Sequence, residues 1–184
     1  MASIGVTKND SAYNLMTSLY NKLQGGDIIN AELSDGAKLE IAGQFSDDRG
    51  QWHFDFNIKL PETSTSAIFS ESNYNIKGGS LRIVTDSGEI TKVTGYGSVI
   101  GIYGYKLYLS GVEVSNGVKK FKLDIDGLQK TDDGYDYGMM IDPDRADWSI
   151  KIQEFLFPED DAPGIVKVDG QVIAWKDVKA LLKV

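Results

Sequence analysis

The residues best suited to acid–base chemistry are His53 and Asp55. They lie two positions apart in the segment QWHFDFNIKL, so a β-strand would place both side chains on the same face. An imidazole beside a carboxylate could transfer protons in an enzyme. We favour the simpler interpretation, in which the two residues form a polar pair on the solvent-facing side of the strand.

An acidic cluster in the segment IDPDRADW is the candidate metal site. Asp142, Asp144 and Asp147 bring three carboxylates close together in sequence, and calcium prefers such oxygen ligands. The segment does not match an EF-hand loop, because Ala146 and Gln153 stand where that motif needs an oxygen ligand and a glutamate. The alternative is a solvated acidic turn. Apart from calcium we expect no cofactor, since one histidine and no cysteine make a zinc site improbable.

Glycines and tyrosines are interleaved in GYGSVIGIYGYKLYLSG, residues 95–111. A dinucleotide-binding loop is excluded, because Ile100 replaces the third glycine of that motif and a strand-like run follows instead of a helix. With a period of two, the stretch predicts a long central strand. Glycine beside tyrosine could form an aromatic pocket, or the glycines could serve only bends and bulges. The candidate ligand-binding residues are Tyr96, Tyr103, Tyr105 and Tyr108, with Trp148 as a weaker one.

Charge and composition exclude several classes of function. The net charge is −8 at pH 7, which disfavours binding to nucleic acids and to anionic membranes. The absence of cysteine removes disulfides and thiolate chemistry. No signal peptide or transmembrane segment is visible, so we expect a chain that is cytoplasmic, or secreted with its signal removed.

Turn residues between β-rich segments predict antiparallel hairpins. Four such turns are predicted, at Ser34–Gly36, Asp86–Gly88, Asn116–Gly117 and Asp169–Gly170. Apolar residues recur at helical spacing over residues 10–24 and again over 175–184, which predicts a helix near each end of the chain.

Clean alternation of side chains indicates strands with one buried and one solvent-facing side. The residues expected inward are Trp52, Phe54, Phe56, Ile58 and Leu60 in one strand and Phe121, Leu123 and Ile125 in another. We therefore predict a single mainly β domain spanning residues 1–184, with a β core over 27–174. It would be an antiparallel β-barrel or β-sandwich with an N-terminal amphipathic helix and a short C-terminal helix.

Three hypotheses about function remain at this point. The first is a non-enzymatic binding module for a small apolar or sugar-like ligand, or for a protein partner, with the tyrosines as its contact surface. The second is an enzyme whose barrel pocket uses His53 and Asp55, or a tyrosine, for proton transfer. The third is a structural, assembly or adhesion protein whose exposed strand edges bind partners. The sequence leaves the ligand and the oligomeric state open.

Overall fold

The computed structural model describes residues 3–7, 28–32, 38–46, 51–62, 66–69, 74–93, 97–130, 136–140, 147–151 and 158–182. These residues form β-strands and one C-terminal helix, so the mainly β prediction is confirmed. The helix predicted at 10–24 lies outside the described residues. The elements are β1 (Ser3–Thr7), β2 (Ile29–Glu32), β3 (Lys38–Ser46), β4 (Gln51–Lys59), β5 (Ser66–Phe69), β6 (Tyr74–Lys77), β7 (Ser80–Val93), β8 (Gly97–Ser115), β9 (Lys120–Lys130), β10 (Asp136–Met140), β11 (Asp147–Lys151), β12 (Ile165–Val168), β13 (Gln171–Val172) and α1 (Trp175–Leu182).

All of these strands belong to one antiparallel hydrogen-bonded sheet. Its longest run has the order β1-β11-β10-β8-β7-β4-β3-β2. The predicted long central strand is confirmed as β8, which pairs with β7 and β6 along one edge and with β10 and β9 along the other. Within the described part of the chain, the two end strands of the run are not paired with each other.

The core lies on one face of this sheet, as the alternation predicted. In β4 the inward residues from Trp52 to Ile58 are buried, and so is Leu60 just after the strand. Neighbouring strands add buried residues on the same face, among them Ile41, Ile83 and Leu107. Thr85 is the buried polar residue among them, and its hydroxyl accepts a hydrogen bond from the Phe54 amide at 2.9 Å. The opposite face carries the charged side chains.

Three of the four predicted hairpins form. β2 pairs with β3, β8 with β9, and β12 with β13. The β12–β13 turn has positive φ at both central residues, Asp169 and Gly170, as a type I′ turn requires. The turn predicted at Asp86–Gly88 is wrong. β7 runs through these residues, with one extra residue between Val84 and Gly88 relative to β4, so the segment is a bulged strand and not a turn.

Gly111, inside the glycine–tyrosine stretch, sits in a bulge. β8 contains one extra residue between Leu109 and Val112, and Gly111 has a φ of 64°. β9 has the complementary extra residue one step away, where Gly127 has a φ of 65°. Positive φ favours glycine at such positions, so the structural interpretation is confirmed for Gly111.

The C-terminal helix α1 packs through Trp175 and Val178, both buried as predicted. The Trp175 indole nitrogen donates a hydrogen bond to the Pro158 carbonyl at 3.0 Å, and Lys179 donates to the same oxygen at 3.3 Å. This helix has 8 residues. No helix in the described part of the chain is long and apolar enough to cross a membrane.

Candidate functional site

Strand register aligns the side chains of β3, β4, β7 and β8 in rows across the face opposite the core. One row contains Lys38, Lys59, Ser80 and Ser110, each directly opposite the next. We call these four residues the lysine row. The adjacent row on the same face contains Glu40, Asn57, Arg82 and Tyr108 in the same strand order.

Arg82 organises the adjacent row by pairing with Asp55. Its Nη2 lies 2.7 Å from Asp55 Oδ2, and its Nε donates to both carboxylate oxygens, at 3.0 and 3.2 Å. Asn57 Nδ2 donates to Asp55 Oδ1 at 3.1 Å, and the guanidinium carbon lies 5.5 Å from the centre of the Tyr108 ring. We call Asp55, Asn57, Arg82 and Tyr108 the Asp55–Arg82 cluster.

The charges in this cluster stabilise each other. The hydrogen bond from Arg82 to Asp55, together with the carboxylate charge, raises the pKa of the guanidinium against a smaller opposing effect of burial. Both oxygens of Asp55 already accept hydrogen bonds from Arg82, while His53 is an exposed residue two positions before it. The carboxylate of the predicted His53–Asp55 pair is therefore engaged by arginine.

The lysine row is different, because its two cations face each other across β3 and β4. Lys38 and Lys59 are directly opposite in the register and both are exposed. The ion pairs of the described residues involve other basic side chains, although Glu32 lies directly opposite Lys38 on β2 and Glu40 lies two residues further along β3. Like charges in directly opposite positions destabilise a sheet, so these lysines are held together by the backbone against their own repulsion.

A cleft of about 550 Å³ lies over the lysine row and part of the adjacent row. Its volume falls within the range of small-molecule sites. Leu39 and Ile58 line it between the two rows, and since their side chains are buried in the core, their backbone forms its floor. The other lining residues are Asn30, Lys38, Glu40, Asn57, Lys59, Gly79, Ser80 and Ser110.

Gly79 fixes one end of this cleft by close backbone approach. Its φ is 69°, and a Cβ built there would collide with the Ser110 carbonyl oxygen, so any other residue would strain the backbone. The Leu60 amide donates a hydrogen bond to the Gly79 carbonyl at 3.0 Å. The end of β4 and the start of β7 are thereby locked together where Lys59 faces Ser80.

Of the tyrosines predicted to bind a ligand, the three that the structure describes do not share one surface. Tyr105 is completely buried in the core, and the Lys130 ammonium lies 6.0 Å from its ring centre. Tyr103 is half-buried two residues before it. Tyr108 is half-buried on the opposite face, beneath Arg82. A ligand-binding role of these residues stays a prediction.

The remaining predicted site residues lie where side chains are not described. Tyr96, Asp142 and Asp144 are outside the described residues. Asp147 and Trp148 belong to β11, where their backbone pairs with β1. Among the described residues, no group of three or more histidine, aspartate or glutamate side chains could hold a metal ion. The calcium prediction therefore stays a prediction.

The residues that line the cleft were missed because each looks like an ordinary surface residue in the sequence. The register of the β3–β4 hairpin was the one feature from which part of this set could have been predicted. Ser46 lies opposite Gln51, and counting outward from that pair puts Lys38 opposite Lys59. The contribution of Ser80 and Ser110 could not be found in this way, because the bulge in β7 shifts its register.

Comparison with protein-family models, with curated proteins and with solved structures finds no match to this chain.

Proposed function

We propose that this protein is a binding module that holds a small sugar-like ligand in the cleft over the lysine row. The observation that carries the proposal is the composition of the cleft. Seven of its ten lining residues are polar or charged, and they offer both hydrogen-bond donors and acceptors. A polyhydroxylated ligand needs both kinds of group, whereas an apolar ligand would leave them unpaired.

The geometry also favours this cleft over a pocket built from the tyrosines. Tyr105 is fully enclosed by the protein core, and Tyr108 is half-buried next to the Arg82 guanidinium. The cleft residues are instead largely exposed on rigidly paired strands. Side chains on paired strands are held in place more firmly than side chains on loops, which suits a preformed binding site.

A closed or two-layered form of the sheet is part of the same proposal. Every buried apolar strand residue named above lies on one face, and a flat single sheet would leave that face in water. We therefore propose that the sheet curls into a barrel or folds into a sandwich around this face. The opposite face, with the cleft, then forms the outer surface.

The enzymatic alternative has less support from the geometry. Proton transfer by His53 with Asp55 would need a carboxylate free to orient the imidazole. Asp55 instead accepts three hydrogen bonds from Arg82 atoms and one from Asn57. The arrangement at Asp55 is that of a structural ion pair.

Amide chemical shifts test the proposed function directly. The ¹⁵N-labelled full chain is titrated with glucose, galactose, mannose, maltose and cellobiose at millimolar concentrations, where weak sugar sites saturate. We expect saturable shifts for Lys59, Ser80 and Ser110, weakened in Glu40→Gln. Asp126→Asn, an acid-to-amide change at another exposed position outside the cleft, should leave the titration unchanged. No shift at the cleft with any of these sugars would overturn the proposal.

A further inference from the structure

The lysine row contains two like charges, on Lys38 and Lys59, whose repulsion does not stabilise the fold. Lys38 and Lys59 are cross-strand neighbours, so their Cβ atoms lie about 5 Å apart. Their ammonium groups lie at the ends of flexible side chains on the same face, and like charges on directly opposite residues repel each other. An anion between them would convert the repulsion into two attractions.

The arrangement stands out against the other basic residues with described ion pairs. Arg82 pairs with Asp55, Lys77 and Lys120 both pair with Glu113, and Lys179 pairs with Asp160. In a chain with 27 acidic and 19 basic residues, carboxylate partners are plentiful. Lys38 has Glu32 directly opposite it on β2, but Lys59 has only Lys38 and Ser80 opposite it, so Lys59 offers its charge to an anion from outside the chain.

The two serines and one glutamate define how such a ligand would lie. Ser80 and Ser110 continue the lysine row and add two hydroxyl donors beside the cations. Glu40 occupies the adjacent row and would repel a negative group. The cleft is therefore cationic along the lysine row and accepts hydrogen bonds along the side of Glu40.

We propose that the ligand is an anionic saccharide, with a carboxylate or sulfate group over Lys38 and Lys59 and its hydroxyls towards Glu40 and Asn57. This inference rests on the proposed function, since it uses the same cleft and names the class of sugar. The four residues of the lysine row span about 14 Å across the sheet, enough to contact more than one sugar ring.

The net charge of −8 is compatible with this ligand. Charges are screened beyond about 8 Å at physiological ionic strength, so a single anion between two lysines responds mainly to them. A long polyanion would extend beyond the cleft and be repelled by the net negative charge of the protein. The electrostatic potential of the protein therefore favours a small ligand with one or two negative groups over a long polyanion.

Inorganic sulfate, titrated at constant ionic strength, is the first probe. We expect saturable amide shifts along the lysine row, and an affinity about tenfold weaker in Lys38→Gln and in Lys59→Gln. Lys106→Gln is the matched control, because Lys106 is exposed on the same face of β8 outside the cleft. It should leave the sulfate affinity unchanged, and Glu40→Gln should increase it.

Glucuronate and glucose, compared under the same conditions, then test the saccharide class. We expect glucuronate to bind about tenfold more tightly, with this preference lost in Lys59→Gln. Equal affinities for glucuronate and glucose, or sulfate shifts that survive both lysine substitutions, would overturn the anionic inference. If neutral sugars still bound in the cleft, the proposed function would remain intact. Sulfate binding without a response to any saccharide would instead overturn the assignment of a sugar ligand.

Discussion

The Asp55–Arg82 cluster and the lysine row lie side by side on the same face of β3, β4, β7 and β8. In the cluster, the cation is surrounded by acceptors, with a carboxylate at 2.7 Å and an aromatic ring at 5.5 Å. In the lysine row, the nearest cross-strand neighbour of each cation on the β3–β4 hairpin is another cation. The two regions share backbone geometry and exposure to solvent, but Arg82 contacts a carboxylate directly, whereas the residues directly opposite Lys59 are Lys38 and Ser80.

This difference separates residues that stabilise the sheet from residues that we assign to a ligand. A polar group whose partners are all within the chain contributes to stability and has little capacity left for binding. Groups that repel each other in the free protein lower stability, and functional sites commonly carry such a cost. Four substitutions test this difference between the two regions.

The largest effect is expected at the glycine that holds the end of the cleft. Gly79→Ala should lower the free energy of unfolding by about 3 kcal/mol, because it combines a positive φ with a Cβ that collides with the Ser110 carbonyl. Gly111→Ala is the control, since Gly111 has a similar φ of 64° and nothing within 4 Å of its Cβ. It should cost about 1 kcal/mol in urea unfolding. Equal losses in the two variants would refute the close approach at Gly79.

The next effect is expected in the Asp55–Arg82 cluster. Arg82→Met should lower the free energy of unfolding by about 1 kcal/mol, because it leaves Asp55 with only Asn57 and removes the contact with Tyr108. The value is modest since the Arg82 side chain is 48% exposed and solvent screens the pair. Lys106→Met, an exposed cation on the same face, should be nearly neutral. Urea unfolding with no difference between the two variants would contradict the account of this cluster.

A smaller effect of opposite sign is expected in the lysine row. Lys59→Gln should raise the free energy of unfolding by about 0.4 kcal/mol, because it removes the repulsion with Lys38. The gain should disappear in about 1 M salt, where exposed charges are screened. Measurement by urea unfolding at low and high salt checks both statements. A loss of stability in Lys59→Gln would show that the lysine is already paired within the protein.

The smallest effect concerns Glu113, which is paired with Lys77 at 3.3 Å and Lys120 at 3.5 Å. Desolvation alone would raise the pKa of Glu113, but the hydrogen bond from Lys77 and the charges of both lysines together lower it below 4.5. A lowered folded-state pKa gives stabilisation that is present above the unfolded-state pKa and is lost as the pH falls through the folded-state value. Urea unfolding from about pH 6 to about pH 3 should therefore show a weaker pH dependence in Glu113→Gln than in the natural chain. Identical pH profiles would contradict the assigned shift.

The sequence was sufficient for features that depend on local rules. Alternation placed Trp52 and Phe121 inward, and the Asp169–Gly170 pair gave its hairpin, because strand period and turn conformation act over a few residues. The Asp86–Gly88 prediction failed since the same residue types suit turns and bulges, and only pairing with β4 and β8 decides between them.

Local sequence rules could not predict the cleft, for a different reason. It brings together residues from five strands, and Ser110 enters it only because β8 runs beside β7 over their full shared length. Lys38 and Lys59 could have been paired from one hairpin, but nothing in the sequence shows that Arg82, and not Lys59, contacts a carboxylate. That property depends on side-chain contacts between distant strands.

The most direct test of the central claim measures stability and sulfate affinity together on Lys59→Gln. If the lysine row is held for an anionic ligand at the expense of stability, the free energy of unfolding rises while the sulfate affinity falls about tenfold. If the lysine serves the fold, stability falls and the sulfate affinity is unchanged. That second result would contradict the assignment of the lysine row to a ligand.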